Sequence, residues 1–161
     1  MSSAREQILA RVRAAVGDVT TPLGARGETP RVEQAAASRA DTIELFVDNV
    51  VDYKATVVRV KPGDEGAAIG AALRTAPSVV VPAGLPAAWR DGWPSELRVV
   101  ADEGLAHEHL DAIAAVVTGS ALGIATTGTI VLDHGPDQGR RALSLVPDLH
   151  VCVVRAEQVV H

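Results

Sequence analysis

Residues 78–82, Ser-Val-Val-Val-Pro, decide how the rest of the chain is read. Three successive β-branched apolar residues leave no polar face, so a strand at 78–81 is covered on both sides, and Pro82 has no N–H to carry a ladder further. Similar runs recur on either side: 55–60, 97–101, 116–118, 129–132 and a stretch around His150. Between them the spacing changes to that of helices. Ile43, Phe46, Val47, Val50 and Val51 predict a helix over 40–52, and Pro62-Gly63-Asp64 opens one bearing Ala68, Ile69, Ala72 and Leu73. Shorter helices are predicted at 85–89 and 105–110. Apolar strands alternating with helices predict a three-layer α/β/α domain with a mixed or mostly parallel sheet.

Two parts are expected. Ser3-Ala4-Arg5-Glu6 fits a capping box; Ile8, Leu9, Val12, Ala15 and Val16 share one helical face, and Gly17 ends the helix. Residues 18–37, with Pro22, Gly24, Gly27 and Pro30, read as a linker. This gives an N-terminal helix and linker over 1–37 and an α/β domain over 38–161.

Composition narrows the class of partner. The chain has 161 residues, enough for one domain with a sizeable core, and is 47% hydrophobic but only 2% aromatic, so the interior is built mainly from Ala, Val, Leu and Ile. The net charge of −5, without a basic run or an aromatic stacking series, argues against nucleic acid. No stretch approaches the ~18 apolar residues of a membrane helix, and the polar opening 2–7 is not a signal peptide; a cytoplasmic protein is expected. Cys152 stands alone in the run 151–154 and reads as a small core residue, and one cysteine cannot hold an iron–sulfur cluster.

Residues 118–133, Thr-Gly-Ser-Ala-Leu-Gly-Ile-Ala-Thr-Thr-Gly-Thr-Ile-Val-Leu-Asp, set glycines and hydroxyls between two apolar runs. Thr126, Thr127, Gly128 and Thr129 admit two readings. One is a turn that needs such residues for geometric reasons; the other is a loop whose amides and hydroxyls converge on an anionic or carbonyl oxygen. The loop 133–139 then leads to Arg140 and Arg141, which can hold a carboxylate or phosphate through paired N–H groups, with Gly139 allowing close backbone approach. Their alternative is ion pairing with Asp133, Asp137 or Asp148. His134 and Asp133 fall beside this segment, where a histidine is either a solvated loop residue or a proton acceptor. His107-Glu108-His109 does not read as a metal site, because residues two apart on a helix point to opposite sides.

From Gly-Ile-Ala-Thr-Thr-Gly-Thr-Ile-Val-Leu-Asp at 123–133, and from Gly-Pro-Asp-Gln-Gly-Arg-Arg onward through Val-Pro-Asp-Leu-His-Val at 146–151, the chain resembles the LUD domain of the lactate utilisation protein C group, closely over 113–160. The resemblance implies a fold like that of ribose-phosphate isomerases, glucosamine-phosphate deaminases and coenzyme A transferases. Thr126 stands where family members usually carry a glutamate, so a carboxylate that could serve as acid, base or metal partner is missing. The family continues beyond the position of His161, so its C-terminal segment is expected to be lacking here.

The resemblance further implies a subunit taking part in oxidation of L-lactate to pyruvate beside iron–sulfur oxidoreductase subunits that carry the clusters, this chain binding no cofactor of its own. Its site would take a small organic acid or a phosphorylated ligand, with candidates Thr126, Thr127, Gly128, Thr129, Gly139, Arg140 and Arg141 and no catalytic residue assigned. Two other classes stay open: a stand-alone enzyme of the sugar-phosphate isomerase or acyl-CoA transferase kind, and a non-catalytic binding module.

Overall fold

The computed structural model describes residues 4–15 and 38–161, and divides the chain into two compact units, Met1–Ala36 and Ala37–His161. In the first, helix α1 spans Ala4–Ala15, with Ile8 and Leu9 exposed. The cap at Ser3, the helix end at Val16 and Gly17, and the linker 18–37 lie outside the described residues.

The second unit begins with α2, Arg39–Asp52. Ser38 caps it reciprocally: its hydroxyl accepts from the Asp41 amide at 3.1 Å, and the Asp41 carboxylate accepts from the Ser38 amide at 3.2 Å. Thr42, Phe46 and Val50, four apart, form the buried face, whereas Val51 is exposed. Residues 55–60 form no strand. The run lacks a ladder partner, so β propensity has nothing to act through. Val58 and Val60 are exposed, Val57 packs beneath the small sheet described below, and Arg59 forms a two-pronged ion pair at 2.6 Å with Glu44 of α2.

Helix α3, Glu65–Ala72, precedes strand β1, Ser78–Val81. A 3-10 turn at Ala87–Arg90 replaces the short helix expected near 85–89, and leads to β2, Arg98–Ala101. Helix α4, His107–Asp111, leads to β3, Ala115–Thr118. Strands β4, Leu122–Ile124, and β5, Thr129–Val131, form a hairpin, followed by β6, Leu149–Cys152, and β7, Val159–Val160.

The strands divide into two sheets. One is wholly parallel, in the order β2-β1-β3-β6, and the other is mixed, in the order β5-β4-β7. In the parallel sheet, alternate residues serve opposite faces. Val79, Val81, Ala115 and Val117 pack with Ile69 and Leu73 of the α3 region and with Trp89, while Val80 and Val116 pack with Leu110 of α4 and with Leu143. Helical segments therefore cover both faces, which is why β1 and β3 are buried at every position and carry no polar alternation. This is the three-layer α/β arrangement.

The small sheet has its own core, in which Phe46, Val50, Ala125 and Val159 join α2 to the hairpin. Burying Phe46 alone contributes about 2–3 kcal/mol. Arg39 ties the start of α2 to the chain end by donating to the Val159 carbonyl at 2.6 Å and to the Ala156 carbonyl. Among the described residues no helix is long and apolar enough to cross a membrane.

Candidate functional site

At the carboxyl edge of the parallel sheet, β1 connects sideways to β2 and β3 connects the other way, toward β6. Loops leaving adjacent strands in opposite directions open a crevice between them. A cleft of about 500 Å³ lies at this edge, lined by Pro82 and Ala83 beyond β1, Asp102 beyond β2, and by His134, Arg140 and Arg141.

The loop 133–139 forms one wall, and its shape is fixed from within. Asp133 accepts from the Gly135 amide at 3.1 Å, Gln138 accepts from the Asp133 amide at 2.6 Å, and the Gly139 amide donates to the Gly135 carbonyl at 2.9 Å. It is also latched to the sheet, since the Gly84 amide donates to the Pro136 carbonyl at 2.9 Å and the Gly119 amide to the Asp137 carbonyl at 2.8 Å. Side chains would block these latches: a Cβ on Gly84 would lie 2.6 Å from the Pro136 oxygen, and one on Gly119 would run into the Asp137 carboxylate.

The two arginines play different parts. Arg140 is braced: its Nε and Nη2 donate to the two carboxylate oxygens of Asp102 at 2.8 and 3.0 Å, and Nη2 also reaches the Leu105 carbonyl. Asp102, with its side chain only 8% exposed, further accepts from the Leu105 amide at 3.2 Å. The Arg140 hydrogen bond, helped by that amide, holds the Asp102 carboxyl below its ordinary range despite the opposing effect of burial. In turn the pair raises the Arg140 guanidinium. Neither Nη1 of Arg140 nor the exposed Arg141 side chain has a hydrogen-bonding partner among the described residues, so both present unused donors at the cleft. The partner of Arg140 is thus none of Asp133, Asp137 and Asp148.

His134 adopts a left-handed backbone, φ +65°, a region in which histidine, asparagine and aspartate are enriched among the non-glycine residues. Its Nδ1 lies 3.2 Å from the Gly139 carbonyl. A carbonyl can only accept, so Nδ1 is the donor in this contact.

The sequence-predicted residues fall into two places. Gly139, Arg140 and Arg141 line the cleft. Thr126, Thr127, Gly128 and Thr129 form the β4–β5 turn of the small sheet, with the three threonines exposed and Gly128 against α2. There the Gly128 amide closes a tight turn onto the Ala125 carbonyl at 3.4 Å, the Thr127 and Thr129 hydroxyls pair at 2.8 Å, and Asn49 of α2 donates to Ala125 at 2.8 Å. Gly128 has φ +62°, and a Cβ on it would lie 2.8 Å from the Asn49 backbone. Both the turn and the helix contact call for glycine.

Asp102, Pro82 and Ala83 line the cleft without having been read as site residues in the sequence, where Pro82 served only as the strand stop. The available signal was positional: Pro82 and Asp102 directly follow the strand runs 78–81 and 97–101, and in a parallel sheet those are the residues that face a ligand.

Beside the cleft, the ends of β3 and β6 carry Thr118, His150 and Cys152. The Thr118 hydroxyl lies 2.8 Å from His150 Nε2, and burial pushes the imidazole below its ordinary value. The Cys152 thiol points to the Gly119 carbonyl at 3.5 Å and is pushed up to about 11, mainly by burial. Such a thiol is a packing group. Among the described residues no group of three or more His, Cys, Asp or Glu is placed to hold a metal ion. His107 and His109 are exposed on α4.

Comparison with known proteins agrees with this architecture. The model of the LUD domain family matches residues 86–161. The chain is 47% identical over 140 residues to Lactate utilization protein C of Deinococcus radiodurans, a match covering 85% of this chain and 65% of the relative. The chain thus spans just under two thirds of that relative's length. A crystal structure of a DUF162 family protein from Deinococcus radiodurans superposes with a TM-score of 0.73 at 48% identity, covering 78% of this chain and 75% of that one. With nearly half of the aligned residues shared, and with the cleft loop 133–139 inside the matched region, the chain belongs to the LUD domain family.

Proposed function

We propose that this protein serves lactate utilisation, as a cytoplasmic LUD-domain subunit taking part in oxidation of L-lactate to pyruvate with iron–sulfur partner proteins. The observation that carries the reading is the 47% identity to Lactate utilization protein C over most of the chain. The chemistry of the chain is consistent with a subunit that leaves electron transfer to others, because one cysteine, a half-buried thiol pushed up to about 11, cannot ligate a cluster.

Within that role, the cleft at the carboxyl edge of the parallel sheet binds a small organic anion. Arg140, held in place by Asp102, and Arg141, which has no partner among the described residues, supply donors and positive charge, and Gly139 lets the backbone approach. The Thr126–Thr129 turn joins the hairpin to α2.

The test is growth on L-lactate as sole carbon source by a strain lacking the corresponding gene. The wild-type chain restores growth and co-purifies with cluster-bearing oxidoreductase subunits, whereas Arg140→Ala/Arg141→Ala folds normally and fails to restore it. Full growth with the double variant removes the cleft from the function, and full growth of the deletion strain removes lactate.

A further inference from the structure

We propose that His150 is an acid-sensitive clasp on the free edge of the parallel sheet, and that its protonation releases β6 and, with it, the anchor of the cleft loop at Gly119. The clasp acts whatever ligand the cleft takes. Among the described strands β6 pairs with β3 alone and closes one end of the sheet. In that register Val116 lies beside His150 and Thr118 beside Cys152, so these four side chains share one face. Across it the fully buried Thr118 hydroxyl lies 2.8 Å from His150 Nε2. The backbone carries this contact to the cleft loop. The Thr118 carbonyl accepts from the Val153 amide at 2.9 Å, and the next residue, Gly119, donates its amide to the Asp137 carbonyl at 2.8 Å.

Protonation places a charge where the fold provides no counter-charge. Among the described residues no carboxylate is hydrogen bonded to the imidazole or ion-paired with it. Helix α4 and the 3-10 turn Arg141–Ser144 send Leu110 and Leu143 to this face, while His107, Glu108, His109 and Asp111 of the helix and Arg141 of the turn are exposed, as is Asp148 before β6. The other titratable group on the face is the Cys152 thiol, and it is this thiol that the Asp137 carboxylate influences. A neutral ring can donate to a hydroxyl or accept from it, whereas an imidazolium can only donate. The ring is half-buried, so solvent supplies the proton. Because burial lowers the imidazole, the folded ring holds a proton less readily than the released one. The clasp is therefore complete above the ordinary value of 6.5 and is lost as pH falls through the lowered folded value.

Cys152, two residues along on the same face, reports the opening. The experiment is its reaction with dithiodipyridine in the full chain between pH 7.5 and 5.5, each rate divided by that of the urea-unfolded chain at the same pH to remove the pH dependence of the thiol chemistry. The ratio is expected to rise about fivefold over this range in wild type, within the limit of about tenfold per pH unit that one proton sets. It is expected to stay flat in His150→Gln, whose side-chain amide offers the Thr118 hydroxyl a partner but does not titrate. A flat ratio in wild type, or the same rise in the variant, overturns the clasp. If His150→Gln does not fold, hydrogen exchange of the wild-type amides decides: Gly119 and Val153 lose protection as the imidazole titrates, while Val80 of the central strand β1 keeps it. Loss at all three together, or at none, overturns the proposal.

Discussion

Two glycine turns lie close together in the sequence and differ in what surrounds them. Gly128 and Gly139 both adopt left-handed backbones, φ +62° and +69°, and both face a neighbour that leaves no room for a side chain. Gly128 joins two antiparallel strands and presses on the middle of α2, with its amide and the adjoining hydroxyls paired locally. Gly139 ends a loop draped across the carboxyl edge of a parallel sheet, against Pro82 and Leu143, beside arginine donors with no local acceptor. Residue types alone do not separate a joint from a loop that walls a cleft. The decisive difference is the edge over which each lies, because a parallel sheet exposes diverging loops at one end and a hairpin satisfies its own turn.

The sharpest way to break this contrast is to place the same bulky residue at both turns. Valine at either position meets the left-handed backbone and a steric conflict, with Asn49 atoms at 2.8 Å for Gly128→Val and Leu143 Cδ1 at 2.6 Å for Gly139→Val. Each substitution is expected to destabilise the domain by about 2–5 kcal/mol in urea unfolding. Lactate affinity should separate them: unchanged in folded Gly128→Val, reduced at least tenfold in folded Gly139→Val. Equal loss at both turns would erase the distinction between them. If Gly139→Val does not fold, Gly139→Ala, with fewer atoms to place, carries the comparison.

What the sequence made legible follows the same division. Strands β1 and β3 could be read because burial on both faces demands an unbroken β-branched run, and α2 because Phe46 and Val50 recur at helical spacing. Strands β4 and β7 escaped notice since three and two residues, one of them Gly123, carry no periodicity. The run 55–60 misled for the opposite reason: its composition is that of a strand, but pairing is a tertiary matter. Of the residues that line the cleft, Gly139, Arg140 and Arg141 stood out by local chemistry. Asp102 did not, being 38 residues from Arg140 in sequence and brought to it only by the crossover that places β2 beside β1.

A smaller effect tests how firmly the cleft loop is anchored. The Arg140 hydrogen bond holds the Asp102 carboxyl below its ordinary 3.8, so the folded state binds its proton less readily than the unfolded chain. The sign follows directly. The pair contributes its full stability above the unfolded value and loses it as pH falls through the lowered folded value, in the strongly acid range. Asp102→Asn should cost about 1 kcal/mol at neutral pH, a modest figure because Arg140 is 36% exposed and screened by solvent, and the acid limb of the stability curve should flatten. An unchanged acid limb would mean that the brace adds nothing, and Arg140 would then be as free as Arg141.

The smallest effect concerns the boundary of the cleft toward β6. Cys152 sits at the same carboxyl edge as Asp102 but on the far side of β3, with its thiol turned to the Gly119 carbonyl and pushed up to about 11 from an ordinary 9.0. Alkylation requires the thiolate. At pH 8 the shift alone lowers the thiolate fraction about a hundredfold relative to an exposed cysteine, and burial slows the reagent further. Iodoacetamide should therefore modify the native chain at least a hundred times more slowly than the urea-unfolded chain. Modification of the native chain at the unfolded rate would show that this end of the sheet opens to solvent, extending the ligand crevice from the β1 and β2 loops across to β6 and placing Thr118 and His150 within reach of whatever binds there.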